Sequence, residues 1–212
     1  MTLKLYGHPA SLCTRRVLLI LAEKGIEYEF VNVDFMTGEQ KRAPYEERMP
    51  FGQIPALQDG SLRLYESRAI GRYLASKYRS QGIDLLPPVD DTQGWAHFEQ
   101  FASVEYSQFY DAAVQVLWLK FFNPAFGIPS DETATKADVE KLHAKLDVLD
   151  KILSKQSYLG GPGFTIVDTF YMPAVNSLYK AGEGPAFEQR KNLGTWWNKV
   201  SSRESWKKVS EN

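Results

Sequence analysis

Phe51-Gly52-Gln53-Ile54-Pro55-Ala56-Leu57-Gln58-Asp59-Gly60-Ser61-Leu62-Arg63-Leu64-Tyr65-Glu66-Ser67-Arg68 is the stretch that decides how this chain folds. It reads as a strand, a tight turn at Asp59-Gly60, a second strand and the start of a helix. Asp-Gly suits a type I′ hairpin, where both central residues take positive φ. Pro55 has no N–H to give a ladder, so Ile54 and Pro55 belong at an edge or an irregular start of the first strand. The backbone groups of Ile54 are then free to pair with another extended chain. Ile70, Tyr73 and Leu74 continue as an apolar helical series, which puts Glu66 and Ser67 at a helix N-terminus. Free N–H groups there attract a carboxylate. A backbone edge, the Gln53 amide and an anion-seeking helix end together suit a small peptide-like ligand.

Upstream, Leu3-Lys4-Leu5-Tyr6 reads as a strand, and Gly7-His8-Pro9 breaks it. Ser11 precedes a helix expected from about Thr14 to Lys24, with Gly25 as its stop. Tyr28 to Val33 is a second strand, and strand-helix-strand with short links makes a parallel βαβ unit. An irregular segment from Phe35 to Arg48 carries Gly38-Glu39-Gln40-Lys41 and leads into the hairpin. Ser80 to Pro88 is a linker by composition, and beyond it every periodic segment is helical. Trp95 to Lys120 forms a long aromatic-rich stretch, stopped by Asn123-Pro124 and Gly127-Ile128-Pro129. Ser130 or Asp131 opens the next helix, where Val139, Leu142, Leu146, Leu149 and Leu153 step by three and four. Thr165 caps a buried helix, and Asp168 can reach back to the Thr165 N–H. A hydrophobic staple there would be weak, because its inner position is Thr169. Gly160-Gly161-Pro162-Gly163 lacks the Lys-Ser/Thr ending of a phosphate loop. The last third, with Trp196, Trp197 and Trp206, reads as short helices packed on the bundle.

The chain has 212 residues, 43% of them apolar and 24% charged, with a formal charge of −1. That length fits one large or two modest domains. The charge leaves no footprint for nucleic acid or an anionic membrane. One cysteine allows no internal disulfide and points to a reducing, cytoplasmic setting. Three scattered histidines and one cysteine do not make a metal site. Arg15-Arg16 stands before the apolar run Val17 to Ala22, which is too short for an export signal. No run approaches the ~20 apolar residues of a membrane span.

Met49-Pro50-Phe51-Gly52-Gln53-Ile54-Pro55-Ala56-Leu57, followed by Glu66-Ser67-Arg68-Ala69-Ile70, resembles the glutathione-binding half of a glutathione transferase of the phi class. Gly7-His8-Pro9-Ala10-Ser11-Leu12-Cys13-Thr14-Arg15-Arg16-Val17 is close to that class's N-terminal signature. The resemblance spans nearly the whole chain. It implies an α/β thioredoxin-like domain with a mixed sheet over residues 1–80, a linker over 81–90, and an all-α helical bundle domain over 91–212. It implies conjugation of glutathione to small hydrophobic electrophiles, with glutathione-dependent peroxide reduction as a side activity. Glutathione would be a co-substrate, with no cofactor, and the enzyme would be a homodimer along the edge carrying Phe51 and Arg68.

By the same resemblance, Ser11 donates its hydroxyl hydrogen to the glutathione sulfur, and Pro55 is cis. Ile54 pairs with the cysteinyl backbone, Gln53 is among the glutathione-binding residues, and Glu66 and Ser67 hold the γ-glutamyl end. Gln40 and Lys41 hold the glycine carboxylate; phi members often carry histidine in place of Gln40, and glutamine still donates. The electrophile is expected near Leu12, Phe35, Phe109, Ala113, Leu117, Trp118 and Phe121. Phe109, Ala113 and Leu117 share one helical stripe, a pattern that serves a core as readily as a pocket.

The chemistry has its own logic. A free thiol titrates near ~8.5, and the thiolate is the nucleophile. Lowering that pKa by about two units needs roughly 2.7 kcal/mol. One charge-assisted hydrogen bond of ~1.5–3 kcal/mol and a helix-dipole contribution of ~0.3–1 kcal/mol suffice. Residue chemistry alone leaves Ser11 either such a donor or a plain helix cap. It also leaves two other functions open: a ligandin that binds apolar molecules without turnover, and a thiol transferase using Cys13.

Overall fold

The computed structural model describes residues 3–211, which divide into two compact units. Unit 1 comprises residues 1–86 and 204–212, and unit 2 residues 87–203. The division between residues 86 and 87 falls inside the linker expected over 81–90. The C-terminal segment also returns to the first unit rather than staying with the bundle.

Unit 1 is built on a four-stranded sheet. Its strands are β1 (Lys4–Gly7), β2 (Glu29–Asn32), β3 (Ala56–Asp59) and β4 (Leu62–Tyr65), in the order β2-β1-β3-β4. β1 runs parallel to β2, with Leu5 opposite Phe30, and antiparallel to β3, with Leu5 opposite Leu57. The mixed sheet of the sequence reading is therefore present. Helix α1 (Leu12–Lys24) makes the crossover from β1 to β2. It starts two residues earlier than the apolar run suggests, because Ser11 itself is the N-cap.

α1 packs against α2 (Ser67–Lys77) and against α10 (Glu204–Ser210). Val17, Leu19, Ile20 and Leu21 are fully buried as a result. Each such side chain is worth roughly 1.5–3 kcal/mol of apolar burial. Lys24 is buried too, and its Nζ donates to the carbonyls of Ile83 (2.6 Å) and Arg79 (3.2 Å). Trp206 on α10 is 2% exposed. Its helix lies on α1, so the expectation that it packs on the bundle is corrected.

The hairpin differs from expectation in its turn. Asp59 pairs with Leu62 as the last rung, so the two loop residues are Gly60 and Ser61. Gly60 has φ 61° while Ser61 is not in the positive-φ region. That is the type II′ pattern, where only the first loop residue needs the left-handed region. Asp59 instead ties the hairpin to α2, accepting from the Tyr73 hydroxyl at 2.7 Å and pairing with Lys77. β3 is an internal strand, not an edge; Pro55 is accommodated because it lies one residue before the ladder begins at Ala56.

Between β2 and β3 the chain makes two 3₁₀ turns, Phe35–Thr37 and Glu39–Lys41. It then folds a small apolar pad of Val33, Tyr45, Met49 and Ala56, with Tyr6 and Ile54 against it.

Unit 2 is helical. α3 (Thr92–Val104) is capped by Asp91, whose Oδ1 accepts from Gly94 N at 2.8 Å. Helical backbone continues through a π segment (Glu105–Tyr110), α4 (Asp111–Leu117), a second π segment (Trp118–Phe122) and the turn α5 (Asn123–Ala125). Asp131 opens α6 (Glu132–Leu153) as expected, accepting from Ala134 N at 2.9 Å. Leu142, Leu146, Leu149 and Leu153 form its buried stripe, while Val139 is half-buried.

The core helix α7 (Ile166–Leu178) carries the capping box read from sequence. Asp168 Oδ2 accepts from Thr165 N at 3.0 Å and Thr165 Oγ1 from Val167 N at 3.2 Å. Phe164 does not reach forward to staple the helix; it meets the Tyr158 ring and lies under the Arg203 guanidinium. A third π segment (Tyr179–Glu183) leads to α8 (Gly184–Glu188) and α9 (Lys191–Ser201).

Candidate active site

Ser11 sits where β1 hands over to α1. Its backbone is extended (φ −74°, ψ 126°), and its Oγ accepts from Thr14 N at 3.3 Å. The Ser11 N–H is held by the His8 carbonyl at 3.0 Å. The loop is fixed from behind: buried Arg15 donates Nε to the Pro9 carbonyl at 2.6 Å. Burial pulls the Arg15 pKa down. A hydroxyl has one hydrogen and two lone pairs. The cap uses a lone pair, so the hydrogen remains to donate outward. Capping and donation, which looked like rivals, are compatible in one side chain.

Leu12 follows at 8% exposure, and half-buried Phe35 sets its ring edge-on to His8 at 5.0 Å. Both therefore border the Ser11 loop.

The glutathione-site expectations converge on unit 1. The Ile54–Pro55 peptide is cis. Among the described residues, neither the N–H nor the C=O of Ile54 has a backbone partner. Gln53 is exposed, yet its carbonyl accepts from the buried Tyr45 hydroxyl at 2.7 Å. Its N–H meets the Met49 sulfur at 3.4 Å. Burial pushes the Tyr45 pKa up.

Lys41 is exposed and donates Nζ to the Phe51 carbonyl at 2.9 Å. Gly52 has φ 56°, and a Cβ there would stand 2.6 Å from Lys41 Cδ and 2.9 Å from the Gln40 carbonyl. Only glycine lets the two segments approach this closely. Gln40 is half-buried, and its Oε1 is buried with no hydrogen-bond partner among the described residues.

Glu66 is exposed and is the one non-glycine residue with positive φ (67°) among those described. Such strain costs of order 1–3 kcal/mol and gathers at functional sites. Ser67, 4% exposed, is the first residue of α2, and its Oγ accepts from Arg16 Nη1 at 2.8 Å. That bond uses a lone pair of the hydroxyl and leaves its hydrogen unspent. The fully buried Arg16 reaches Cys13 Sγ from the same nitrogen at 3.5 Å. Cys13 is half-buried in the first turn of α1. The sequence reading gives Arg16, Tyr45 and Met49 no role at the site. They support motif residues from behind, Ser67 in one case and Gln53 in the other two, and no spacing rule assigns that role.

The electrophile expectations on unit 2 divide. Phe109 (1% exposed), Ala113 (0%) and Leu117 (0%) are core, with Phe109 ring-packed on Tyr171 at 4.8 Å. They have no free surface for a substrate, and these three expectations are withdrawn. Trp118 is 47% exposed and Phe121 half-buried; both rings pack on Phe122, at 5.1 and 5.4 Å. Trp118 follows the stripe by one residue, so its side chain leaves the helix on another side.

No group of three His, Cys, Asp or Glu side chains able to hold a metal ion occurs among the described residues. No described helix is long and apolar enough to cross a membrane.

Comparisons with known proteins agree with this geometry. Residues 1–76 match the family description "Glutathione S-transferase, N-terminal domain", and residues 109–204 match "Glutathione S-transferase, C-terminal domain". The chain is 40% identical to glutathione S-transferase F10 of Arabidopsis thaliana over 99% of its length and 97% of the relative's. Its fold is similar to the crystal structure of glutathione transferase F7 from Populus trichocarpa, with a TM-score of 0.92, 37% identity, and 99% and 98% of the two chains covered. It is also similar to glutathione S-transferase I from maize in complex with an atrazine glutathione conjugate. There the TM-score is 0.91 and the identity 31%, over 100% and 97% of the chains.

Proposed function

The chain belongs to the glutathione S-transferase family, in its phi class, and we propose that Ser11 ionises bound glutathione for addition to small hydrophobic electrophiles. Conjugation of glutathione to electrophiles is the activity of the family, and glutathione serves it as co-substrate without a cofactor. The observation that supports the reading is Ser11 Oγ, which caps α1 with a lone pair and so leaves its hydrogen unspent.

In this reading the γ-glutamyl end lies at the strained Glu66 and the start of α2, where Ser67 and free N–H groups meet its carboxylate. The cysteinyl backbone pairs with Ile54 before cis-Pro55, beside Gln53. The glycine carboxylate meets Lys41 and Gln40, whose amide hydrogens are available. The thiol proton leaves to solvent, and the Ser11 O–H stabilises the thiolate left behind. With an aryl chloride, the sulfur lone pair forms the new C–S bond and chloride leaves with the bonding pair. Leu12 and Phe35 on unit 1 are the apolar side chains proposed for the electrophile. The same thiolate attacks the terminal oxygen of an organic hydroperoxide: an S–O bond forms, the O–O bond breaks, the departing alkoxide takes a proton from water, and a second glutathione converts the sulfenic acid to glutathione disulfide and water.

We also propose a homodimer along the β4 edge. Phe51 is 65% exposed, and Leu62 and Tyr65 are 38% and 37% exposed on that edge strand, an apolar strip that a second copy would cover. The single cysteine suits a cytoplasmic setting. Two measurements test these readings. Ser11→Ala should lower turnover of a chlorinated nitrobenzene tenfold or more, with glutathione still bound; unchanged turnover removes Ser11 from the reaction. Phe51→Asp should shift the mass in solution from two copies to one.

A further inference from the structure

Two consecutive arginines are buried near the start of α1, and they are held differently. Arg16 donates Nη1 to Ser67 Oγ at 2.8 Å and to Cys13 Sγ at 3.5 Å. The Arg15 side chain, in a residue 9% exposed, makes one hydrogen bond among the described residues, from Nε to the Pro9 carbonyl at 2.6 Å. Neither of its Nη groups has a partner there, and neither is sealed off from the surface. No described carboxylate pairs with it. Burial pulls its pKa down with no neighbouring charge to oppose it, yet a guanidinium stays charged in a protein. A desolvated cation without a counter-charge is costly, and an anion placed near it lowers that cost.

This cation belongs to the Ser11 loop. The Arg15 N–H donates to the Ser11 carbonyl at 2.9 Å. Long helical side chains lean back toward the N-terminus, and this one is fixed there on the carbonyl of Pro9, two residues before Ser11. Successive Cα atoms are ~3.8 Å apart, so the guanidinium lies within about 10 Å of Ser11. The other charged groups of the neighbourhood are accounted for. His8 Nδ1 accepts from Ala10 N at 3.1 Å, so that nitrogen carries no proton. Helix α2 brings Glu66 at its cap and Arg68 in its first turn. Helix α10 brings Glu204, paired with Lys207 at 2.6 Å, and Lys208. Neither carboxylate pairs with Arg15.

We propose that Arg15 supplies part of the charge that stabilises the glutathione thiolate, acting across the Ser11 loop without bonding to the sulfur. The neutral thiol gains nothing from a nearby cation and the thiolate gains a counter-charge, so the effect falls on ionisation rather than on binding. It adds to the hydrogen bond from Ser11 and to the N-terminal end of α1. The proposal rests on the glutathione reading of the Ser11 loop given above. A unit charge at this range, discounted for solvent screening, moves a pKa by about 0.5–1.

The test saturates the full chain with glutathione and follows the ultraviolet absorbance of the thiolate as pH is raised, in the parent and in Arg15→Gln, Arg15→Lys and Ser11→Ala. Glutamine keeps an N–H for the Pro9 carbonyl but drops the charge; lysine keeps the charge but not the planar fork. The expected result is a midpoint about 0.5–1 higher in Arg15→Gln, with the acid limb of kcat/KM moving alongside it. The midpoint of Arg15→Lys should stay near that of the parent. An unmoved midpoint in Arg15→Gln, or equal rises in Arg15→Gln and Arg15→Lys, would overturn the proposal and leave Arg15 a prop for the Pro9 carbonyl. The Ser11→Ala arm separates this inference from the reading beneath it. A midpoint raised by Arg15→Gln and unmoved by Ser11→Ala keeps Arg15 and removes Ser11. The reverse keeps Ser11 and removes Arg15.

Discussion

Two helices of this chain begin in opposite ways. At α1, Ser11 Oγ accepts a single long bond from Thr14 N, and the side chain is half-buried with its hydrogen uncommitted. At α7, Thr165 and Asp168 close a reciprocal box, and Asp168, with no exposed surface, also accepts from Leu159 N at 2.8 Å and Trp196 Nε1 at 2.9 Å. Burial pushes the Asp168 pKa up to about 6, against the N–H donors of Thr165, Trp196, Leu159 and Gly160 that pull it down. One helix start leaves a hydroxyl hydrogen uncommitted. The other has spent its hydrogen-bonding capacity on holding unit 2 together. A hydroxyl at a helix N-terminus stands without an acidic partner at α1 and is locked into a box with a carboxylate at α7; the proposed reaction belongs to the first and folding to the second.

The largest effect that could break this contrast is Asp168→Ala. It leaves the Leu159 and Trp196 N–H groups buried without acceptors, and should destabilise the chain by about 3–5 kcal/mol in thermal or urea unfolding. A loss under 1 kcal/mol would mean that the box is not the keystone of unit 2. Next comes Ser11→Ala, where activity and stability should part company. Beyond the tenfold loss of turnover, the acid limb of kcat/KM should move from near ~6.5 toward the ~8.5 of a free thiol. The cost to stability should stay near the low end of the ~0.5–2 kcal/mol range for lost caps, since the cap bond is long. Equal losses in both measurements would make Ser11 a cap like Thr165. The smallest effect sharpens the contrast inside the reactive site. Tyr45→Phe removes one hydrogen bond to the Gln53 carbonyl, worth about 0.5–1.5 kcal/mol. Glutathione KM should rise roughly two- to tenfold with kcat unchanged, whereas a change confined to kcat would contradict a positioning role.

What the sequence reveals follows the range of each interaction. Ser11 before an apolar run, Thr165 three residues ahead of Asp168, and Asp131 ahead of the α6 stripe are local words, and each cap stands where those words put it. The βαβ unit and the hairpin are local in the same sense. The turn between β3 and β4 was misread by one residue because Asp59 had a better use, pairing with Tyr73 and Lys77 on α2. Phe109, Ala113 and Leu117 obey the helical period perfectly, yet periodicity cannot tell a core stripe from a pocket wall. The supporting contacts of the site and of the α7 box follow no repeating spacing: Arg16 to Ser67 spans 51 residues, Tyr45 to Gln53 eight, and Leu159 and Trp196 reach Asp168 over nine and 28. Nothing in a single sequence ranks such partners.

The return of α10 to α1, where Ser205 also bonds Glu23, has a consequence for biosynthesis. A growing polypeptide leaves the ribosome from its N-terminus, so the flank of α1 waits uncovered while all of unit 2 is translated. At ~5–20 residues per second that delay is on the order of ten seconds. During it, the nascent protein offers a bare apolar helix side of the sort that chaperones grip, and only the closing segment seals it.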